Sequence, residues 1–371
     1  MAPPEEVACC GSPPSPPSSA LERPGYQLWP FVDSFLETPA GSIPQVKTKW
    51  IKPDYQGTLL ARVSPTSRND YKIAPGLYAV GQPGAESPVL VTANYKLTFD
   101  TLRRELSGLR AWILVLDTRG INVWCAAGKK LFSTDEIIRR VKLSRLDQLV
   151  SHRRLILPQL GATGVSAHQV KKDCGFEVIW GPIRAADVKR FVEAGFKAET
   201  GMRQITFSLW ERLILTPVEL SLAIKPFLWA VLAAILISGI GPHIFSLNAA
   251  WSRGLAAISA LLVGVLCGTV IMPALLPWTP TPAFSQKGAI IGGLGGALMT
   301  ALTWSRVGLV EHLALMVLTI VISSFLAMNF TGSTPFTSPT GVEKEMRQAI
   351  PWQIGGLLVS VVVWIGAAFM S

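Results

Sequence analysis

The chain has 371 residues, 49% of them hydrophobic, with 34 Lys and Arg against 24 Asp and Glu, a formal net charge of +10. Charge is concentrated before residue 221, where 28 Lys and Arg face 21 Asp and Glu, against 6 and 3 after it. This division excludes a uniformly soluble chain, and without a basic-aromatic stripe or nucleic-acid motif the basic excess fits anionic lipid headgroups better than nucleic acid.

Residues 1–45 are rich in Pro and Ser (PPEE, SPPSPPSS) and contain no apolar signal-peptide core, so a disordered tail is expected. Residues 46–220 alternate short β-like runs with amphipathic helices. VLVT (89–92) precedes TFDTLRREL, and WILVLD (112–117) leads through TRGINVWCAAGK (118–129) to STDEIIRRVKL. There Ser133 and Glu136 have the spacing of a capping box. LILP (155–158) precedes GVSAHQVKKDCG, ended by Gly175, and FEVIWGP (176–182) precedes RAADVKRFVEAG, ended by Gly195. QITFSL (204–209) reads as a further strand. The alternation predicts an α/β Rossmann-like domain, a parallel sheet with helices on its faces. A ligand would lie outside the carboxyl ends of the strands, at TANYK (92–96), residues 118–129, PQLGATG (158–164) and GPIRA (181–185).

Residues 221–371 read as an all-α transmembrane domain of five helices. The apolar runs lie near 224–246, 254–276, 286–304, 309–328 and 351–370, each near the roughly 20 residues that cross a bilayer core. Trp229, Trp251, Trp278, Trp304 and Trp352 sit near their ends, as interface anchors do. With the first domain in the cytoplasm, Lys287, Lys344 and Arg347 fall inside and Arg253 and Arg306 outside, a placement in the cytoplasmic (inner) membrane that agrees with the positive-inside rule. Gly288, Gly292 and Gly296 recur at a spacing that allows close helix packing. Segment 329–347 is too polar to span.

Dinucleotide and P-loop glycine motifs are absent, as are HExxH, C-x-x-C and the cobalt-ligating D-x-H-x-x-G pattern. Cys125 stands out, flanked by Trp124, by Ala126, Ala127 and Gly128, and by Lys129 and Lys130. A helix start and nearby lysines would favour its thiolate, a soft and strongly donating metal ligand. On residue chemistry alone it is equally a small buried hydrophobe, or a hydrolase nucleophile with His152 or His168 as base. Cys9, Cys10, Cys174 and Cys267 carry no such context. A proton-coupled transporter is disfavoured, because ionisable residues lie only near the ends of the spans.

The stretch Asn122-Val123-Trp124-Cys125-Ala126-Ala127-Gly128-Lys129 resembles, at every position, the motif of the HgcA family of mercury-methylating corrinoid proteins, related to the corrinoid iron–sulfur proteins of the acetyl-CoA pathway. The resemblance extends from about residue 47 to the end of the chain. It implies a corrinoid (cobalamin) cofactor, Cys125 as lower axial ligand of cobalt, and Asn122 through Lys129, with Thr92, as cofactor-binding residues. It further implies methyl transfer to Hg(II), a ferredoxin-like iron–sulfur partner, HgcB, as electron donor, and a methyltetrahydrofolate-linked methyl donor. A methyl carrier of one-carbon metabolism is the alternative.

Overall fold

The computed structural model describes residues 29–303, 308–334, 337 and 339–370. Most of the expected tail (1–28), Trp304, Arg306 and part of segment 329–347 lie outside the described residues. Two compact units divide at Thr206 and Phe207 rather than at 220 and 221.

The first unit is built on a seven-stranded sheet: β1 (Val32–Thr38), β2 (Gly41–Val46), β3 (Gly76–Val80), β4 (Val89–Ala93), β5 (Ala111–Leu116), β6 (Arg154–Leu157) and β7 (Glu177–Trp180). Their spatial order is β1-β2-β3-β5-β4-β6-β7. The neighbours β5-β4-β6-β7 are all parallel, but β3 runs antiparallel to β5, and β1 antiparallel to β2. The sheet is therefore mixed, not wholly parallel, and its first two strands fall, except for Val46, within residues 1–45, expected from composition to be a disordered tail. Their sequences, VDSFLET and GSIPQV, form an exposed edge hairpin and bury too few residues to read as strands. The reverse holds for QITFSL: despite its β-branched run, it pairs with no strand.

Strands β4 and β5 are buried at every position, the pattern of a sheet covered on both faces. The helices that cover it are α3 (Lys96–Glu105), α4 (Val123–Gly128), α5 (Thr134–Leu143), α6 (Ala167–Cys174) and α7 (Val188–Glu193), while α1 (Lys52–Val63) and α2 (Pro65–Asp70) precede β3 and α1 packs beside α3. Period-2 alternation sorts the strand residues onto two faces. Val91, Leu114 and Leu116 join Val123, Ala126, Ile137 and Val170 of α4, α5 and α6, whereas Leu90, Ile113 and Val115 join Phe99, Leu102 and Phe191 of α3 and α7. Gly175 caps α6 with φ of +75°, as its place after the helix predicts.

The second unit is helical: α8 (Leu209–Leu213), α9 (Thr216–Ser238), α10 (Leu247–Leu266), α11 (Met272–Leu275), α12 (Phe284–Thr303), α13 (Leu309–Asn329) and α14 (Pro339–Ala367). Among the described residues, four stretches are long and apolar enough to cross a membrane: Leu209–Ser238, Leu247–Trp278, Leu309–Asn329 and Thr340–Ala367. The third run predicted from sequence forms α12, a helix made less apolar by Lys287 and its glycines. The first run ends early, at Ser238, because a short hairpin around Pro242 follows, and the last begins early because Pro351 sits inside α14 instead of starting it.

Small residues set the packing. A Cβ on Gly292 would lie 2.6 Å from Ser323 Cβ, and on Gly268 2.7 Å from the Ser323 carbonyl, so only glycine lets α12 and the turn Cys267–Ile271 after α10 approach α13 this closely. Ser323 Oγ donates to the Gly288 carbonyl at 2.7 Å. Near the other end of α13, Arg253 pairs with Glu311 (2.7 Å), donates to the Ser238 carbonyl (3.3 Å) and lies over the Trp364 ring (4.5 Å), tying four helices together.

Candidate functional site

Strand β4 continues on the α3 face, whereas its two neighbours β5 and β6 continue on the opposite face, so the connections diverge at the carboxyl end of β4, and the strand order reverses between β4 and β6. A ligand crevice forms at such a divergence. The loop leaving β5 is tied to that edge. Asn94 Oδ1 accepts from the Thr118 N–H (3.0 Å) and Gly120 N–H (2.9 Å), while Asn94 Nδ2 donates to Asp117 Oδ1 (3.2 Å). Thr118 Oγ1 donates to the Ile121 carbonyl at 2.6 Å. Positive φ at Arg119 (+56°) and Gly120 (+78°) turns the chain sharply toward α4.

At Asn122 the loop becomes α4. The Asn122 side-chain oxygen accepts from the Cys125 N–H at 2.9 Å, an N-cap that satisfies one of the unpaired donors of a helix start. That amide is thus used by the cap and not directed at the thiol. With six residues, α4 also supplies less macrodipole than the sequence argument supposes.

Val123, Ala126 and Ala127 are buried in the core, whereas Trp124, Cys125 and Lys129 are half-buried and Gly128 is exposed. The two alanines therefore act inward. Gly164 of the segment after β6 lies with Ala127 Cα 3.0 Å from where its own Cβ would be, so small residues on both sides let α4 settle against that segment. Outward, Gly128 has no atom within 4 Å of a Cβ position. Lys129 ends α4 as its C-cap, and exposed Lys130 takes φ of +58° just after it.

Thr92 is not brought to this group. It is buried in β4, paired in register with Val115, and faces the α3 side of the sheet while α4 packs on the other. Alternation along a strand that opens TANYK already carried this signal. Sequence reasoning also missed the roles of Asn94 and Asp117, and it read Glu136 only as a capping-box residue. Ser133 Oγ accepts from the Glu136 N–H (3.3 Å) as a cap, but the Glu136 carboxylate turns to the Asp117 N–H (2.9 Å) and Arg140 (2.5 Å), so the capping box is only half formed.

His152 accepts from the Arg154 N–H (3.3 Å) and its other ring nitrogen lies 2.9 Å from the Ser87 carbonyl, which places it at the amino ends of β4 and β6, across the sheet from Cys125. That geometry removes it as a base for a Cys125 nucleophile. His168 is exposed on α6. Burial pushes the Cys174 thiol up, and its Sγ–H donates to the Val170 carbonyl. Among the described residues no group of three or more His, Cys, Asp and Glu side chains could hold a bare metal ion. Cys125 is a half-buried cysteine in no disulfide, three residues before exposed Gly128. A single soft donor would suit a metal that is carried by an organic group of its own and not by a cluster of protein ligands.

Residues 63–192 match the family described as CO dehydrogenase/acetyl-CoA synthase delta subunit. The chain is 29% identical over 138 residues to the acetyl-CoA decarbonylase/synthase complex subunit gamma of Archaeoglobus fulgidus, covering 37% of this chain and 29% of that one. It is 30% identical over 125 residues to the corrinoid/iron-sulfur protein large subunit of Moorella thermoacetica, covering 33% and 28%. The first unit is thus related to corrinoid-associated proteins of the acetyl-CoA pathway, and the matched segment holds α4 and all four parallel strands. The chain spans less than a third of the length of these relatives.

Proposed function

We propose that the protein is a membrane-bound, corrinoid-dependent methyltransferase that forms methylmercury from Hg(II). The observation that carries this reading is the position of Cys125: a half-buried thiol on an Asn122-capped turn at the carboxyl edge of the parallel strands, inside the segment similar to corrinoid proteins. When bound, the corrinoid supplies a cobalt centre that carries a methyl group and can release it with its electron pair. Cys125 would hold the cobalt of that group through its thiolate, a strong donor that would favour release of the methyl group to an electrophile such as Hg(II). Asn122 holds the turn, Ala126 and Ala127 seat it, Gly128 leaves the approach open, and Lys129 closes it. Replenishing the methyl group needs low-potential electrons and a methyl source. A ferredoxin-like partner of the HgcB type and a methyltetrahydrofolate-linked donor fill those roles. The helices, α12 among them as a fifth span, hold the first unit at the cytoplasmic face of the inner membrane.

Similarity to subunits of the acetyl-CoA decarbonylase/synthase complex favours one second reading, a methyl carrier of one-carbon metabolism whose native acceptor is not mercury. Full-length protein reconstituted with cobalamin tests both. The expected result is a visible spectrum of thiolate ligation that Cys125→Ala converts to water ligation, with loss of methylmercury formation, while Cys174→Ala leaves both intact. A thiolate spectrum without methylmercury selects the second reading. A Cys125→Ala protein with unchanged spectrum and rate defeats the first.

A further inference from the structure

Helix α1 is turned inside out relative to an ordinary surface helix. Asp54 and Ala61 face inward at 2% and 1% exposure, while Tyr55, Leu59, Leu60 and Val63, spaced along one side, are 60%, 62%, 52% and 40% exposed. The apolar side continues into Trp50, whose ring meets that of Tyr55 edge-on at 5.1 Å and lies under the Arg104 guanidinium at 4.8 Å. Basic residues surround it. Lys49 and Lys52 are exposed, Arg62 and Arg68 half-buried, and of the two carboxylates between residues 47 and 72 only Asp70 is at the surface, because Asp54 is consumed in a buried ion cluster.

We propose that this face of α1 docks on an anionic lipid surface. Its chemistry matches the layers of a bilayer interface: leucines and valine for the acyl boundary, the Trp50 and Tyr55 rings for the headgroup level, and lysines for the lipid phosphates. The positive charge around an exposed aliphatic and aromatic side favours an anionic lipid surface over a protein partner. The proposal rests on the reading that the second unit spans a bilayer, which keeps a lipid surface within reach of the first unit. Docking would also restrain the loop into α4, since Gly120 packs on Lys72 and Asn69 at the end of α2.

The test uses the full chain in nanodiscs of phosphatidylcholine, with or without phosphatidylglycerol, carrying Leu59→benzoylphenylalanine. Leu143→benzoylphenylalanine is the control, since Leu143 is equally exposed (61%) on α5, across the sheet. Illumination is expected to link position 59 to phospholipid, several-fold more with phosphatidylglycerol present, and position 143 hardly at all. Adding Lys49→Glu or Lys52→Glu should lower the yield by roughly fivefold or more for each site. Equal lipid yields at 59 and 143, or chain-to-chain adducts at 59, overturn the proposal. Alkaline carbonate extraction separates the two levels: an integral chain without lipid adducts at 59 defeats docking alone, whereas a chain released by carbonate defeats the spanning reading.

Discussion

Two neighbouring strands end at the same edge of the sheet and continue into opposite kinds of helix. Strand β4 runs into α3, where Lys96 pairs with Asp54 (3.0 Å) and Asp100 (2.5 Å), and Arg103 with Asp54 (2.8 Å) and Asp100 (2.8 Å), every side chain at most 4% exposed. Lys96 also lies over the Phe31 and Tyr71 rings at 5.1 Å each. Strand β5 runs into α4, which has one cap, two buried alanines and a half-buried thiol. Paired charge is thus concentrated where water is excluded, and Cys125 lies in a short, mostly uncharged helix. Buried ions paired with one another brace the fold, whereas the role proposed for Cys125 needs a side chain that is only half-buried.

The sharpest way to break this contrast is Asp100→Ala. It leaves Lys96 and Arg103 short of a carboxylate in a dry site, so a loss of about 3–5 kcal/mol is expected in thermal or denaturant unfolding. The same cluster sets an acid limit. Burial alone would raise the Asp54 carboxyl, but the Ile51 N–H, Arg103 and Lys96 outweigh it and hold the pKa below its ordinary value. A depressed folded-state pKa gives stability that is complete above the unfolded value of about 3.9 and lost as pH falls through the folded one. Unfolding followed downward from about pH 5 should show that loss, and Asp54→Asn, less stable at neutral pH, should show a shallower one.

On the α4 side the effects shrink. Gly164→Ala puts a methyl group where the Phe132 carbonyl and Ala127 already sit, and overpacking of about 1–3 kcal/mol is expected. Because α4 must move to admit it, cobalamin binding should weaken as well, and a stability loss with unchanged binding would separate the two. Asn122→Ala removes the cap for about 1 kcal/mol, read as a small shift in the unfolding midpoint. Cys125→Ala should change stability least, within roughly 0.5 kcal/mol as for a substitution outside the core, yet abolish the thiolate spectrum. If instead it destabilised the fold as strongly as Asp100→Ala, Cys125 would be a core residue and the contrast would collapse.

Local pattern made much of this legible. Strands β4 to β7 and helices α3, α5 and α6 follow from apolar runs, periodicity and the caps at Ser133 and Gly175, which act within a few residues of chain. The apolar helices follow from composition. What stayed hidden depends on neighbours distant in sequence. Strands β1 and β2 are polar hairpin arms that become strands only by joining β3, and QITFSL has strand-like residues but no strand beside it.

For the site, the sequence by itself determined that Cys125 sits in a turn of small residues after a buried strand, because both are local properties. Only the tertiary structure decided which residues accompany it. It turned Thr92 to the far face, since successive strand residues alternate between faces. It put His152 at the opposite edge and brought in Asn94 from the neighbouring strand to hold the loop. The buried ion cluster joins Asp54 to Lys96, Asp100 and Arg103, 42 or more residues away along the chain. No spacing rule encodes such a pairing, because it exists only once α1 and α3 have packed together and excluded water from between them.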